Sequence, residues 1–166
     1  MVGSAPDYQC AAAARGWGTG SRMSGKPIAI ASDHAGYDLK TILAQELSEM
    51  GYRVLDLGTD GPQSVDYPDF GAALAKAVQS GEADRGILIC GTGIGISIAA
   101  NRCPGVRAAV CWDETSARLT REHNDANVLA MGARMVGVEV AKGCMRTFLS
   151  TDFAGGRHAG RVAKLG

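Results

Sequence analysis

From Lys26 onward the chain alternates between two hydrophobic patterns. Short, nearly unbroken apolar runs occur at 27–34 (PIAIASDH), 52–58 (YRVLDLG), 85–90 (RGILIC), 106–112 (VRAAVCW) and 127–132 (NVLAMG), and each reads as a strand. Between them lie segments whose apolar residues recur every three or four positions. In 37–51, Leu39, Ile42, Leu43, Leu47 and Met50 share one helical face, while Lys40, Glu46 and Glu49 fall off it. Further helices are expected over 69–81, 94–102, 113–124 and 138–151, with a glycine turn and a last helical stretch in the tail from 153. The boundary residues agree. Gly51 is a helix stop, Pro68 suits a first turn, and Asp113 and Glu114 sit where a helix N-terminus favours acids. The segment 59–68, rich in Gly, Pro, Ser and Asp, is a loop.

Strands alternating with helices predict an α/β fold. The expected form is a doubly wound, Rossmann-like five-stranded parallel sheet with helices on both faces, in a single domain. The uninterrupted apolar run at 85–90 suits a strand covered on both sides. In such sheets the ligand lies beyond the carboxyl ends of the strands. That directs attention to 32–34 (SDH), 90–93 (CGTG), 112–114 (WDE) and 131–134 (MGAR). The domain is expected over 23–166. Residues 1–22 lack periodicity and the apolar core of a signal peptide, and read as a disordered leader: a cloning remnant or a start upstream of Met23.

Composition removes several function classes. Seventeen basic residues balance seventeen acidic ones, so bulk charge gives no reason to expect nucleic acid or an anionic membrane as partner. No apolar run approaches the roughly 18 residues of a membrane span. The five cysteines form no Cys-x-x-Cys pair, which together with the missing secretory signal points to free thiols in a reducing cytoplasm. The three histidines show no paired-ligand spacing, so no metal site is expected.

Four stretches carry candidate chemistry. Cys90 ends a buried strand and is followed by glycines at 91, 93 and 95, then a helix. Such a loop can bring bare N–H groups to an oxyanion or phosphate, and a helix start beside a thiol makes it a better base or nucleophile. Position alone leaves open whether Cys90 is instead a small buried hydrophobe. A dinucleotide fingerprint fits poorly, because the third-glycine slot would hold Ile96 or Ile98; no P-loop sequence occurs. Asp33 and His34 end another apolar strand, where Ser32 and Asp33 could equally cap a helix. His123 falls at a helix end, as a titrating group or a solvated cap. Arg157 and Arg161 stand four apart with His158 between them, which suits a phosphate or a solvated basic end.

Taken together, SDHAG (32–36), DYPDF (66–70), GILICGTGIGISIAANR (86–102), REHNDANVLAMGAR (121–134) and GGRHAGRV (155–162) resemble, in order, the motifs of the RpiB/LacAB family of sugar-phosphate isomerases. The resemblance runs from about Lys26 to about Lys164. It implies a cofactor-free, metal-free interconversion of ribose 5-phosphate and ribulose 5-phosphate in the pentose phosphate pathway. It implies a homodimer or dimer of dimers with shared active sites. By motif, Cys90 takes the place of the catalytic base and His123 that of the group opening the furanose ring. Asp33, His34 and Asn124 match substrate contacts, and Gly91, Thr92, Gly93, Ile94 and Gly95 match the loop holding the enediolate. Arg134, Arg157 and Arg161 match phosphate-side arginines, with His158 nearby. One branch of the family has serine here and a glutamate base a few residues on; Cys90, Ile94, Ile96 and Ser97 match the cysteine branch. A six-carbon aldose 6-phosphate (allose or galactose) is the alternative substrate. A non-catalytic nucleotide-binding module and a redox-sensing thiol at Cys90 are the readings from other classes.

Overall fold

The computed structural model describes residues 25–166. The expectations for residues 1–22 and for Cys10 lie outside them. The elements are β1 (Ile28–Ser32), α1 (Tyr37–Glu49), β2 (Val54–Asp56), α2 (Tyr67–Gln79), β3 (Arg85–Cys90), α3 (Ile94–Ala100), β4 (Ala108–Val110), α4 (Glu114–Asn124), β5 (Val128–Gly132), α5 (Val138–Ser150) and α6 (Ala159–Val162), with 3-10 turns at His34–Gly36 and Gly156–His158. All five strands are parallel, in the order β2-β1-β3-β5-β4. This is the doubly wound fold the alternating pattern predicts. The edge strands β2 and β4 are three residues each, shorter than the seven-residue runs at 52–58 and 106–112. Each has one neighbour to bond to, so pairing ends early.

Strand residues alternate between two cores, as a period of two requires. Ile28, Ile30, Ile87, Ile89, Leu129 and Met131 pack with Leu39, Leu43, Leu47, Met145 and Phe148. Ala29, Ala31, Leu88, Cys90, Val128 and Ala130 face the other way, onto Leu74, Val78, Ile96 and Ala100. Among the described cysteines, Cys90, Cys111 and Cys144 are free. Cys103 is disulfide-bonded, which corrects the expectation that every thiol is free; an odd count without paired spacing carries no information on a bridge. Among the described residues no helix is long and apolar enough to cross a membrane.

Two features of the topology position the site. Connections leave β1 toward β2 on one side and β3 toward β4 on the other, so the loops after β1 and β3 diverge at a switch point. The turn after β1 packs on the end of β3: a Cβ on Gly36 would lie 2.7 Å from the Ile89 side chain and 2.8 Å from its carbonyl oxygen. The helix after a parallel strand must also run back to the opposite edge of the sheet. α4 and α5 therefore end at the amino edge, where Arg107 Nε donates to the Asn124 carbonyl (3.2 Å) and Arg85 Nη1 to those of Phe148 and Leu149 (3.0 and 3.1 Å).

Candidate active site

At the carboxyl edge the chain gathers Asp33, His34, Cys90, the loop 91–95 and Arg134. Cys90 is the last residue of β3, and its sulfur accepts a hydrogen bond from the Gly93 N–H at 3.1 Å. Gly93 makes this possible. Its φ of +80° is left-handed, and a Cβ there would lie 2.8 Å from the Met131 carbonyl carbon, so the loop crosses directly over β5. Thr92 Oγ1 accepts from the Ile94 N–H (3.2 Å) and fixes the turn into α3. The loop is pinned from the next strand as well, since Ala133 N–H donates to the Cys90 carbonyl (2.9 Å) and Arg134 N–H to that of Gly91 (3.0 Å). The Arg134 guanidinium lies over Gly91, where a Cβ would come within 3.2 Å of Nη1.

Beside this loop, Asp33 caps the first turn after β1: its Oδ1 accepts from Gly36 N–H at 3.1 Å. The capping reading therefore holds for Asp33, whatever else the carboxylate does. His34 Nδ1 accepts from the Val65 N–H at 3.2 Å. An accepting Nδ1 puts the ring proton on Nε2, leaving that N–H as the donor. The loop between β2 and α2 thus closes onto His34, and it delivers a residue the sequence reading did not single out. Tyr67 lays its ring against Gly95, where a Cβ would meet it at 2.7 Å. The DYPDF motif contains it, but a lone exposed tyrosine at a helix start, two residues before the expected helix, has no spacing to mark it. Burial pushes the Cys111 and Cys144 thiols up to about 11, making them poor bases at neutral pH.

The other candidates stand elsewhere. His123 is on the last turn of α4, with Asn124 at its end, at the amino edge. The tail returns to this point: Ala154 N–H donates to the Glu122 carbonyl (3.1 Å), and the His158 ring stacks on His123 with centroids 4.3 Å apart and planes 13° from parallel. Arg157 and Arg161 flank His158 and are exposed. Partial burial holds the His158 pKa down, reinforced by the charges of His123, Arg157 and Arg161 and opposed by Glu122. A network fixes the end of α4. Asp125, at φ 46°, accepts from Arg121 Nη1 (2.8 Å) and Arg107 Nη2 (3.2 Å), and Arg107 also reads the Asn124 and Asp125 carbonyls.

The candidate residues of one chain thus fall into two groups, a Cys90 half and a His123 half, on opposite edges of the sheet. The five residues of β5 alone separate the edges by about 17 Å. Arg134 belongs to the Cys90 half, while Arg157, His158 and Arg161 belong to the His123 half, so the three arginines do not converge within one chain. Among the described residues no three His, Cys, Asp or Glu side chains are grouped to hold a metal ion. Exposed apolar side chains stand at the Cys90 half, with Ile94 in the loop, Tyr67 against Gly95 and Met135 against Gly132; Ile98 on α3 and Trp112 after β4 are exposed too.

Comparison with known proteins gives a consistent result. A family described as Ribose/Galactose Isomerase matches residues 28–165. The ribose-5-phosphate isomerase B of Escherichia coli is 50% identical over 140 residues, covering 84% of this chain and 94% of that protein. The D-erythrulose-4-phosphate isomerase of Pectobacterium atrosepticum is 44% identical over 141 residues, 84% of this chain and 92% of its own. The solved structure of Clostridium thermocellum ribose-5-phosphate isomerase B superposes with a TM-score of 0.84 at 59% identity, covering 84% of this chain and 95% of that one.

Proposed function

The chain belongs to the ribose/galactose isomerase family, and on that premise we propose that it interconverts ribose 5-phosphate and ribulose 5-phosphate through an enediolate, in a homodimer whose sites are each built from two chains. The observation that carries the assembly is the split of the site. Cys90 and His123 occupy opposite edges of one sheet, so only a second copy can set an imidazole and the paired arginines against the Cys90 loop. The exposed apolar residues around that loop supply a surface for the second copy to cover. The cytoplasmic location, the place in the pentose phosphate pathway and the independence from metal ions come with this reading.

The chemistry follows from the two halves. Most of the aldose enters as a furanose. His123 of one chain moves a proton between the anomeric hydroxyl and the ring oxygen, and the ring opens. Arg157 and Arg161 of that chain, with Arg134 of the other, hold the phosphate by paired charged hydrogen bonds. Cys90 Sγ takes the proton from C2. The C–H pair becomes the C1–C2 double bond, and negative charge collects on the carbonyl oxygen. N–H groups of the 91–95 loop are the donors for that oxygen. The O2 hydroxyl proton passes to O1, which moves the negative charge to O2; the C1–C2 double-bond pair then takes the proton back from Cys90 at C1, and O2 becomes the carbonyl of the ketose. Asp33 and His34, whose Nε2–H is free, contact the sugar hydroxyls from the neighbouring strand end, and Asn124 does so from beside His123.

The test is turnover of ribose 5-phosphate with a chelator present, on the wild type and Cys90→Ala. The account expects wild-type turnover that falls by about a hundredfold or more in the variant, the range for losing a general base. No wild-type turnover of ribose 5-phosphate, but turnover of allose or galactose 6-phosphate, would move the assignment to the six-carbon branch. Near-wild-type turnover in Cys90→Ala would remove the cysteine from its role.

A further inference from the structure

The tail from Thr151 onward is mostly exposed, and Gly155 and Gly156 both sit at positive φ (63° and 53°). It is tied to the end of α4 by the hydrogen bond from Arg121 Nε to the Thr151 carbonyl (3.2 Å), by the Ala154–Glu122 backbone hydrogen bond and by the flat stack of His158 on His123. We propose that His158 is a positioning residue for ring opening: it covers one face of the His123 imidazole and fixes that ring's rotation, so that a proton can pass between the two sugar oxygens along one line.

The inference rests on His123 being the ring-opening group. It assigns His158 an action through His123 rather than on the phosphate.

Three observations favour this over a phosphate contact. The rings overlap face to face at 4.3 Å, a separation at which an aromatic pair restricts the rotation of both. An imidazole at the end of a helix, free to rotate about χ2, would otherwise sample two broad orientations. Arg157 and Arg161 already supply two guanidiniums for an anion, whereas His158 is the half-buried member of the trio. The charge environment also keeps the stack workable. His123 on α4 and Arg157 and Arg161 on the tail disfavour a proton on His158, and Glu122 alone opposes them. A neutral His158 does not repel the proton that His123 must carry. Both rings belong to the same chain, so the stack reaches the other chain's Cys90 as a preassembled unit.

The experiment measures ribose 5-phosphate kinetics in the dimer for wild type, His158→Ala, His158→Phe, His123→Asn and the double variant His123→Asn with His158→Ala. His158→Ala is expected to lower kcat by about five- to tenfold, the factor of a lost ring stack, with KM within about twofold. His158→Phe, which restores a flat neutral ring, is expected to recover most of that loss. In the His123→Asn background, His158→Ala is expected to add less than about twofold, because the two side chains act as one unit. A phosphate ligand would instead show a raised KM that Phe does not rescue. A purely structural residue would give additive losses in the double variant. Either pattern, or an unchanged kcat in His158→Ala, overturns the proposal. A wild type without ribose 5-phosphate turnover overturns the functional reading itself, so the two failures are separable.

Discussion

Removing the Asp125 carboxylate should loosen the end of α4 by a calculable amount. Asp125 is the only non-glycine residue at positive φ among the described residues. Its carboxylate accepts from Arg121 and Arg107, guanidiniums whose side chains are 6% and 14% exposed. Neither arginine would be stranded. Arg121 keeps the carbonyls of Ala126 (2.6 Å) and Thr151 (3.2 Å), and Arg107 keeps those of Asn124 and Asp125. The loss therefore falls short of the roughly 3–5 kcal/mol of a broken buried ion pair, and sits near about 2 kcal/mol. Alanine at this φ adds about 1 kcal/mol of backbone strain, which glycine does not carry. Asp125→Ala should thus cost about 3 kcal/mol and Asp125→Gly about 2. In melting temperature this is about 2–4 °C per kcal/mol for a chain of this size. Urea unfolding at one fixed protomer concentration reads both variants, since an assembly's stability depends on concentration. Equal losses in the two variants would refute the strain argument. Losses under about 0.5 kcal/mol in both would refute the claim that the carboxylate organises this corner.

Two other perturbations are as definite. Gly93→Ala places a Cβ against the Met131 backbone at a left-handed φ, so neither side can yield. Thermal unfolding should show a loss of about 2 kcal/mol or more, and turnover should drop as the N–H leaves the Cys90 sulfur; a fully active variant with native melting would contradict this. Glu46 is held below its ordinary value of 4.5, chiefly by its hydrogen bonds with Arg146, with Lys142 adding to them. Its folded pKa is below its unfolded one, so its contribution is present above about pH 4.5 and lost as pH falls through the folded value. The gap in urea midpoint between wild type and Glu46→Gln should close progressively below about pH 4.5, and a gap independent of pH down to 3 would contradict the assignment.

The fold was legible because both periodicities are strong here. Fully apolar strands such as Arg85–Cys90 and the Leu39/Leu43/Leu47 stripe leave little room for another architecture. Strand order was not legible, since nothing in the apolar runs says that β5 inserts between β3 and β4. The motif residues can be named from the sequence, but a linear reading does not show that they divide between two edges. Part of that was recoverable: a helix following a parallel strand must end at the amino edge, which places His123 away from Cys90 before any coordinates are seen. Tyr67 and Asp125 were out of reach. Each matters because of one contact made through tertiary structure, against Gly95 for the ring and against Arg107 and Arg121 for the carboxylate.

The claim on which the account stands is that each site takes Cys90 from one chain and His123 from another. Mixing Cys90→Ala with His123→Asn subunits, each of strongly reduced activity, under conditions where mass measurement shows they exchange, tests it directly. Random pairing makes half of the dimers hybrid, each with one intact site and one doubly defective one, so activity should return to about a quarter of wild type. Exchanged hybrids no more active than the two parents would show that one chain supplies both residues, and would contradict the account.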